Sequence, residues 1–370
     1  MRLGESTDVF IVGGGPAGLA TAIAACQQGF RVTVAEGARP PIDKACGENL
    51  MPDAIPPLER LGVRFREDEC HPLGGVRFHA AGLTAEANFP SRCALGVRRT
   101  TLHRLMTERA AAMGVEMLWG TPVADISSDG VCLGDGRTVG AKWIVGADGA
   151  NSRVRRWVGL EASRRTSTRY GFRRHYRVAP WTDRIEIYWA RHAQGYVARV
   201  TQDQVCVGLM SRDPHLRADD ALRYFPALEA RLRGAEIVSK ERGALSLTRR
   251  LRRVYRGNIA LVGDASGTVD VITGEGLGLA FSQAIVLADC LRSGQLSRYQ
   301  REHRRLSLRP SLMAQFMLLM DGRPWLQARA MKVFKKRPEI FPRLVALHVG
   351  EVSPLLALDG LTLGWGLLTT

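Results

Sequence analysis

The chain of 370 residues is 45% apolar, 24% charged and 7% aromatic, which allows about two or three domains at roughly 100–200 residues each and excludes a disordered chain, a collagen or a small disulfide scaffold. Lysine and arginine outnumber aspartate and glutamate by 52 to 36, a net charge of +16; such an excess suits nucleic acid, an anionic membrane face, an anionic cofactor or only a solvated arginine-rich surface. Seven cysteines without a CxxC pair and eight histidines without a ligand spacing predict neither a disulfide framework nor a metal site.

No basic region or cleavage site precedes the apolar run Val9–Val12, so no signal peptide is expected and the chain reads as cytoplasmic. Asp8 to Gly13 reads as a short buried strand, Pro16 to Gln28 as an alanine-rich helix, and Arg31 to Glu36 as a second strand with period-two apolar positions, together a minimal βαβ unit. Within it Gly13, Gly15 and Gly18 fit GxGxxG. The first glycine permits the tight turn, the second lets a pyrophosphate approach the backbone, and the third lets helix and strand touch; the helix N-terminus then offers free N–H groups to the phosphates. Glu36, 23 residues after Gly13, ends the second strand where a carboxylate accepts bonds from both ribose hydroxyls and disfavours a 2′-phosphate. Glycines also serve plain turns; the strand, helix and terminal glutamate in register make the dinucleotide reading the specific one.

Further along, Lys142 to Asp148 is an apolar strand ending in Asp148-Gly149, before a helix start that Asn151 or Ser152 would cap. Arg169–Val178, Arg184–Trp189, Gln194–Val200 and Gln204–Met210 read as strands of an antiparallel sheet with an aromatic face. Asn258 to Val262 is another apolar strand, ending in Gly263-Asp264, followed by the glycine-rich Thr273–Gly276 and a helix from about Leu277 to Leu291. After Ser293 basic clusters such as Lys335-Lys336-Arg337 alternate with apolar residues in amphipathic helices separated by Pro310, Pro324, Pro338 and Pro342. They cover the active-site mouth, lie on an anionic membrane as would suit a lipophilic substrate, or simply pack as a helical subdomain. The stretch Leu344 to Thr370 is interrupted by His348, Glu351, Pro354 and Asp359 and is too short in its unbroken part to span a bilayer. No repeat, low-complexity tract or nucleic-acid-binding pattern is present in the sequence, so no nucleic-acid partner is expected.

The GxGxxG unit with Glu36, the Asp148-Gly149 segment and the Gly263-Asp264 segment, in that order, resemble the para-hydroxybenzoate hydroxylase type of FAD-dependent oxidoreductase. The resemblance spans residues 8 to about 292. It implies an α/β fold with an α+β substrate part: a Rossmann-like FAD-binding domain (1–75, 97–165, 245–295), an antiparallel sheet domain for substrate (76–96, 166–244) and a C-terminal helical region (296–370). Carried over, Gly13, Gly15, Pro16, Ala17, Gly18 and Glu36 hold the ADP part of FAD, Asp264 after Gly263 the ribityl chain, and Asp148 supports flavin and nicotinamide binding. Lys44 joins the cofactor set. Arg99, three residues before Leu102, is the arginine that meets the cofactor phosphates in such proteins; Arg98 is the alternative if the register slips by one.

Lys44-Ala-Cys46-Gly47-Glu48 and Thr273-Gly274-Glu275-Gly276-Leu277 are similar to the geranylgeranyl reductase branch, where the Cys-Gly loop lies near the isoalloxazine ring. Val271 stands where that branch usually has proline, and Gly195-Tyr196 opens a strand that lacks its Phe-Pro ending. The resemblance puts Gly274, Gly276 and Leu277 at the flavin's pyrimidine edge, where backbone N–H groups stabilise the charge of the reduced ring. Cys46 tunes the flavin, donates a proton or simply packs; Glu48 and Glu275 are candidate acids, Glu275 alternatively a turn cap. Tyr170, Tyr188 and Tyr196 are candidate substrate contacts, with plain core packing as the alternative.

Three functions are compatible: an NAD(P)H-driven monooxygenase acting on a hydrophobic aromatic or polyketide-like compound, placed first; a reductase of C=C bonds in an isoprenoid lipid; and a non-catalytic FAD-binding protein. The paired-tryptophan WxWxIP motif of flavin halogenases is absent from the sequence.

Overall fold

In the computed structural model, which describes residues 6–161 and 163–352, the apolar runs at 6–12, 138–146 and 259–261 lie side by side as parallel strands because both faces are covered by other elements. The sheet runs Tyr255–Arg256, Ile259–Leu261, Thr138–Gly146, Ser6–Val12, Val32–Glu36, Glu116–Trp119, with Val123–Ile126 and Gly130–Leu133 as an antiparallel appendage. Its central strand is wholly apolar at Val9–Val12 and nearly sealed from solvent. Helices Pro16–Gln27 and Gly276–Ser293 cover one face, with Leu19, Ile23, Phe281 and Leu287 in a common core. Pro16 sits in the first helical turn, where its missing N–H costs nothing. Gly13 turns the chain at φ +111°, and a Cβ on Gly18 would lie 1.9 Å from the Gly13 carbonyl oxygen, so the helix reaches the strand only because both positions lack side chains.

A second sheet runs Glu236–Ile237, Ser163–Arg177, Gln204–Ser211, Ala193–Arg199, Arg184–Trp189, Gly75–Ala80, Leu83–Asn88, with Arg242–Leu251 also paired to Ser163–Arg177. It is antiparallel except where Arg184–Trp189 runs parallel to Gly75–Ala80. That departure from the expected antiparallel sheet arises because the hairpin at 75–88 comes from a distant part of the chain, where no tight turn dictates opposite directions. One face packs on Leu222, Phe225 and Leu228. The other meets the C-terminal helices through Ile185, Trp189, Phe334 and Phe341.

Those helices are Leu296–Met320, Pro324–Lys336 and Ile340–His348. Pro310 does not end the first of them, as the sequence suggests, but lies buried inside it. An interior proline costs about 3 kcal/mol, and the buried face Met313, Ala314, Met317 and Met320 supplies packing that outweighs it. Pro342 falls in the first turn of the last helix, where free N–H groups are the rule; Pro324 begins a helix and Pro338 lies between two. No helix among the described residues is long and apolar enough to cross a membrane, and Pro354, Asp359 and the rest of the final apolar stretch lie outside the described residues.

Where the two sheets meet, Arg169 and Asp270 are paired with side chains 1% and 0% exposed, and Arg169 also donates to Gln194 Oε1 at 2.9 Å. This fixes the segment before Gly274 to the second sheet. Replacing Arg169 by Met leaves a buried carboxylate unpaired, so Arg169→Met is expected to cost about 3–5 kcal/mol. Urea denaturation measures it, and an unchanged midpoint would refute the assigned role.

Candidate active site

Between the sheets lies a cavity of about 610 Å³, the size of a ligand-binding pocket. Its first end is polar. Gly13, Gly15, Pro16 and Ala17 form one wall, and Gly15 is open: a Cβ there would meet no protein atom within 4 Å. Glu36 is held by Gly14 N–H at 2.9 Å and Ala38 N–H at 3.0 Å, which orients the carboxylate at the strand end. Arg99 lines the cavity, buried and with Nε unpartnered. Arg98 turns away to Gln204 and Glu48, so of the two arginines Arg99 is the one that faces the cavity.

Asp148 Oδ2 accepts the N–H groups of Arg153 and Val154 at 2.6 and 3.1 Å, while buried Oδ1 has no partner. Asp264 faces the cavity and is open to it; desolvation by the surrounding protein raises its carboxyl above the usual range against the opposing charges of Arg99, Lys44 and Arg155. A glycine cradle at a helix N-terminus, an unpartnered guanidinium nitrogen and an unpartnered carboxylate oxygen are what a ligand with phosphates and hydroxyls would satisfy. These residues fit FAD. Gly263, Gly274, Gly276 and Leu277 line the same cavity, and Gly274 turns at φ +70°. Of the cofactor residues expected from sequence, Gly18 alone is off the cavity wall; it makes the helix contact described above.

Cys46 lines the cavity and its Sγ accepts the Glu48 N–H at 3.4 Å. Burial pushes the thiol up, with Arg99 the main opposing charge. Tyr196 also lines the cavity, with a buried, unpartnered hydroxyl that burial holds well above its ordinary value.

Four sequence candidates lie elsewhere. Tyr188 points to the far face of the second sheet, its hydroxyl donating to Glu186 at 2.5 Å, because Ile187 and Trp189 take the cavity side and strand faces alternate. Tyr170 is likewise off the wall that Gly171 and Arg173 form. Glu48 lies behind the wall against His175, and Glu275 is buried beside Arg309 and His348. Neither carboxylate is a lining group. The ligating atoms of Glu48, His175 and Cys206 lie within 4.8 Å of one another, but hydrogen bonds occupy the glutamate and imidazole, and Arg98 and Arg173 crowd in, an environment that opposes a cation.

The cavity's second end is apolar: Phe316, Met317, Met320, Phe334, Phe341 and Leu344 come from the C-terminal helices, facing Phe78 and Trp189. His348 lines it as well. Its Nε2–H donates to the Thr273 carbonyl at 2.9 Å, and Nδ1 lies 3.6 Å from Glu275 Oε2. Burial holds this imidazole down at about 4, so it is neutral. The same burial pushes Glu275 up to about 8, with Arg309 offsetting only part of the cost; its retained proton faces the bare Nδ1.

A family model described as "FAD binding domain" matches residues 6–295. Among relatives, a menaquinone reductase of Mycolicibacterium smegmatis is 32% identical over 79% of this chain and 78% of its own length. A 6-methylpretetramide 4-monooxygenase of Streptomyces rimosus is 30% identical over 86% of each. Among solved structures, the flavin-dependent brominase Bmp2 superposes with a TM-score of 0.80 at 20% identity, covering 93% of this chain and 94% of that one, a likeness of fold.

Two outcomes follow from this geometry. A side chain at Gly15 projects into the cavity and touches no protein, so Gly15→Val is expected to fold with wild-type stability and to purify without FAD; a normal flavin band in the variant would refute the assignment. A carboxyl raised from 4.5 to about 8 binds more protons folded than unfolded between those values, so its contribution falls as pH rises through that window. Glu275→Gln is therefore expected to be more stable than wild type at pH 8, by roughly 2–4 kcal/mol, with the difference vanishing below pH 4.5; denaturation at both pH values measures it.

Proposed function

We propose, starting from the chain's membership in the FAD-binding-domain family of oxidoreductases, that this FAD-dependent enzyme saturates C=C bonds in the isoprenoid chain of a lipid. The observation that carries the reading is the cavity's division: a polar end that fits a dinucleotide opens into a compartment walled by methionine, phenylalanine and leucine side chains. A hydrocarbon chain is the ligand whose transfer into such a compartment is favourable along its whole length, at about 25 cal/mol per Å² buried, and methionines adapt to its bends. The relative named a menaquinone reductase supports a reductase reading.

FAD supplies the hydride chemistry, with NADH or NADPH as the proposed source of electrons. The protein's part is placement. Thr273–Gly276 and the N-terminus of helix Gly276–Ser293 offer backbone N–H groups where negative charge accumulates on reduction, and Asp270 holds that loop by accepting the Ile272 N–H at 3.0 Å. Cys46 and Tyr196 put polar side chains on the cavity wall, where a proton donor is needed. Leu308, Leu312, Leu319 and Trp325 are exposed on the C-terminal helices among Arg305, Arg329 and Lys332. This pattern supports contact with an anionic membrane face, from which a lipid substrate would be taken.

A second reading is hydroxylation of an aromatic or polyketide-like compound, favoured by the monooxygenase relative and by the aromatic side chains of Phe78, Trp189 and Tyr196 on the cavity wall. The two separate in one experiment. The purified holoenzyme is reduced anaerobically with NADH, NADPH or dithionite and mixed with a lipid extract; reoxidation of the flavin band without oxygen, with a product two mass units heavier, is expected. Reoxidation only by air, with peroxide or an oxygenated product, would replace alkene reduction by the monooxygenase reading.

A further inference from the structure

Every polar atom of Glu48 is taken by a neighbour. Its N–H donates to Cys46 Sγ at 3.4 Å, and its carbonyl accepts the Val97 N–H at 2.8 Å. Carboxylate Oε1 accepts the Arg99 N–H at 3.0 Å, and Oε2 lies 2.5 Å from His175 Nε2. The residue is 3% exposed and holds φ +57°, a left-handed conformation that a Cβ opposes. Such a backbone persists where surrounding contacts over-determine it. The bond to Arg99 also explains how a helix without a cap of its own starts where it does. Helix Arg99–Ala112 has Arg98 at its N-cap, whose side chain caps nothing, and its first turn holds no acidic residue. A helix N-terminus carries unpaired N–H groups and a partial positive charge, and a carboxylate answers both. Glu48 supplies that carboxylate from 51 residues away in the chain. One turn further on, His103 Nε2 lies 3.0 Å from the Gly14 carbonyl oxygen and ties the same helix to the glycine turn.

Charge pairing does not account for a carboxylate at this place. Arg98 Nε is 3.4 Å and Arg173 Nη2 3.9 Å from it, but Arg98 also donates to Gln204 and Arg173 to Asp43. Burial holds the His175 imidazole below its ordinary value, so the ring brings no charge that needs an acid. What Glu48 joins is the turn that carries Cys46 and the first residue of the helix that carries Arg99. Both of those side chains line the cavity, and the Glu48 carboxylate does not.

We propose that Glu48 is a positioning residue that locks the guanidinium of Arg99, aimed at the phosphates of FAD, and the thiol of Cys46 into one rigid unit. The inference rests on the assignment of FAD to the cavity and holds for either reaction considered above. The carboxylate fixes where the helix begins, and so where the Arg99 guanidinium reaches. The same bonds hold the left-handed turn, and the turn holds the Glu48 N–H on Cys46 Sγ. Glu48 acts through these two residues and touches neither cofactor nor substrate.

The test uses the full-length chain, stripped of flavin and titrated with FAD, as wild type, Glu48→Gly, Arg99→Ala and the double variant. Glu48→Gly is expected to weaken FAD binding about tenfold and Arg99→Ala about a hundredfold. The double variant is expected to bind no more weakly than Arg99→Ala, because a residue that acts through the guanidinium has nothing left to place. A merely structural loss would add in both backgrounds, so a further tenfold loss in the double variant overturns the proposal, as does unchanged affinity in Glu48→Gly. Alkylation of Cys46 by iodoacetamide, followed by peptide mass spectrometry, reads the other half of the unit. Alanine at position 48 keeps a Cβ in the left-handed turn without the bonds that hold it, whereas glycine adopts that φ freely. Cys46 is therefore expected to react on the order of tenfold faster in Glu48→Ala than in Glu48→Gly, and equal rates overturn the lock. If Glu48→Ala does not fold, the affinities of the other variants decide. A wild type that takes up no FAD overturns the cofactor assignment and this proposal together, whereas tight binding left unchanged by Glu48→Gly overturns this proposal and leaves the assignment standing.

Discussion

A guanidinium removed from water must be given fixed acceptors, and this molecule does so three times: Arg155, Arg169 and Arg173 are the largest fully buried side chains among the described residues. Arg155 donates to the carbonyls of Ala265 and Ala150 and pairs with Glu161. Arg169 pairs with Asp270, and Arg173 with Asp43 and the Lys44 carbonyl. The acceptors belong to the segments after strands Thr138–Gly146 and Ile259–Leu261 and to the loop before Cys46. The two sheets are thus joined through the loops that shape the cavity, and moving any of these loops would strand a buried charge at a cost of several kcal/mol. Rigidity of the site and cohesion of the fold are one property here.

The parts of the fold legible in the sequence were those with a local signature. Gly13, Gly15, Gly18 and Glu36 are tied to each other by the spacing of one strand, one turn and one helix, and Asp148 and Asp264 by their place at the ends of apolar strands. Such constraints act within a few residues, so they survive in a linear reading. Tyr170 and Tyr188 were misplaced because period-two alternation states that two faces exist and not which is inward. Arg169, Gly171, Arg173 and His175 do alternate on one face, but a run of basic residues in a strand reads as a solvated surface until buried acids from 43, 48 and 270 are seen opposite them.

The apolar compartment was illegible for a different reason. Its residues lie on the hairpin 75–88, on the strand Arg184–Trp189 and on three helices beyond 296, and nothing in the spacing of any one element records the others. Pro310 misdirected the reading further, since a proline marks a boundary only when tertiary packing does not override it. The basic excess was likewise ambiguous: part of it is not a surface at all but the interior scaffold of arginines described above, which neutral counting cannot separate from solvated charge.

The division of the cavity between early and late parts of the chain has a consequence for how the protein is made. Among the described residues, every polar contact suited to the dinucleotide lies before residue 278, whereas the last part of the apolar compartment's wall is the helix Ile340–His348. A chain emerging from its N-terminus therefore completes the dinucleotide cradle while the compartment beside it is still open to water. His348, bonded to the Thr273 carbonyl, closes that side from the final helix. Cofactor loading during synthesis would then meet a compartment not yet walled by the C-terminal helices, and an occupied cradle would give the late apolar helices a formed surface on which to dock.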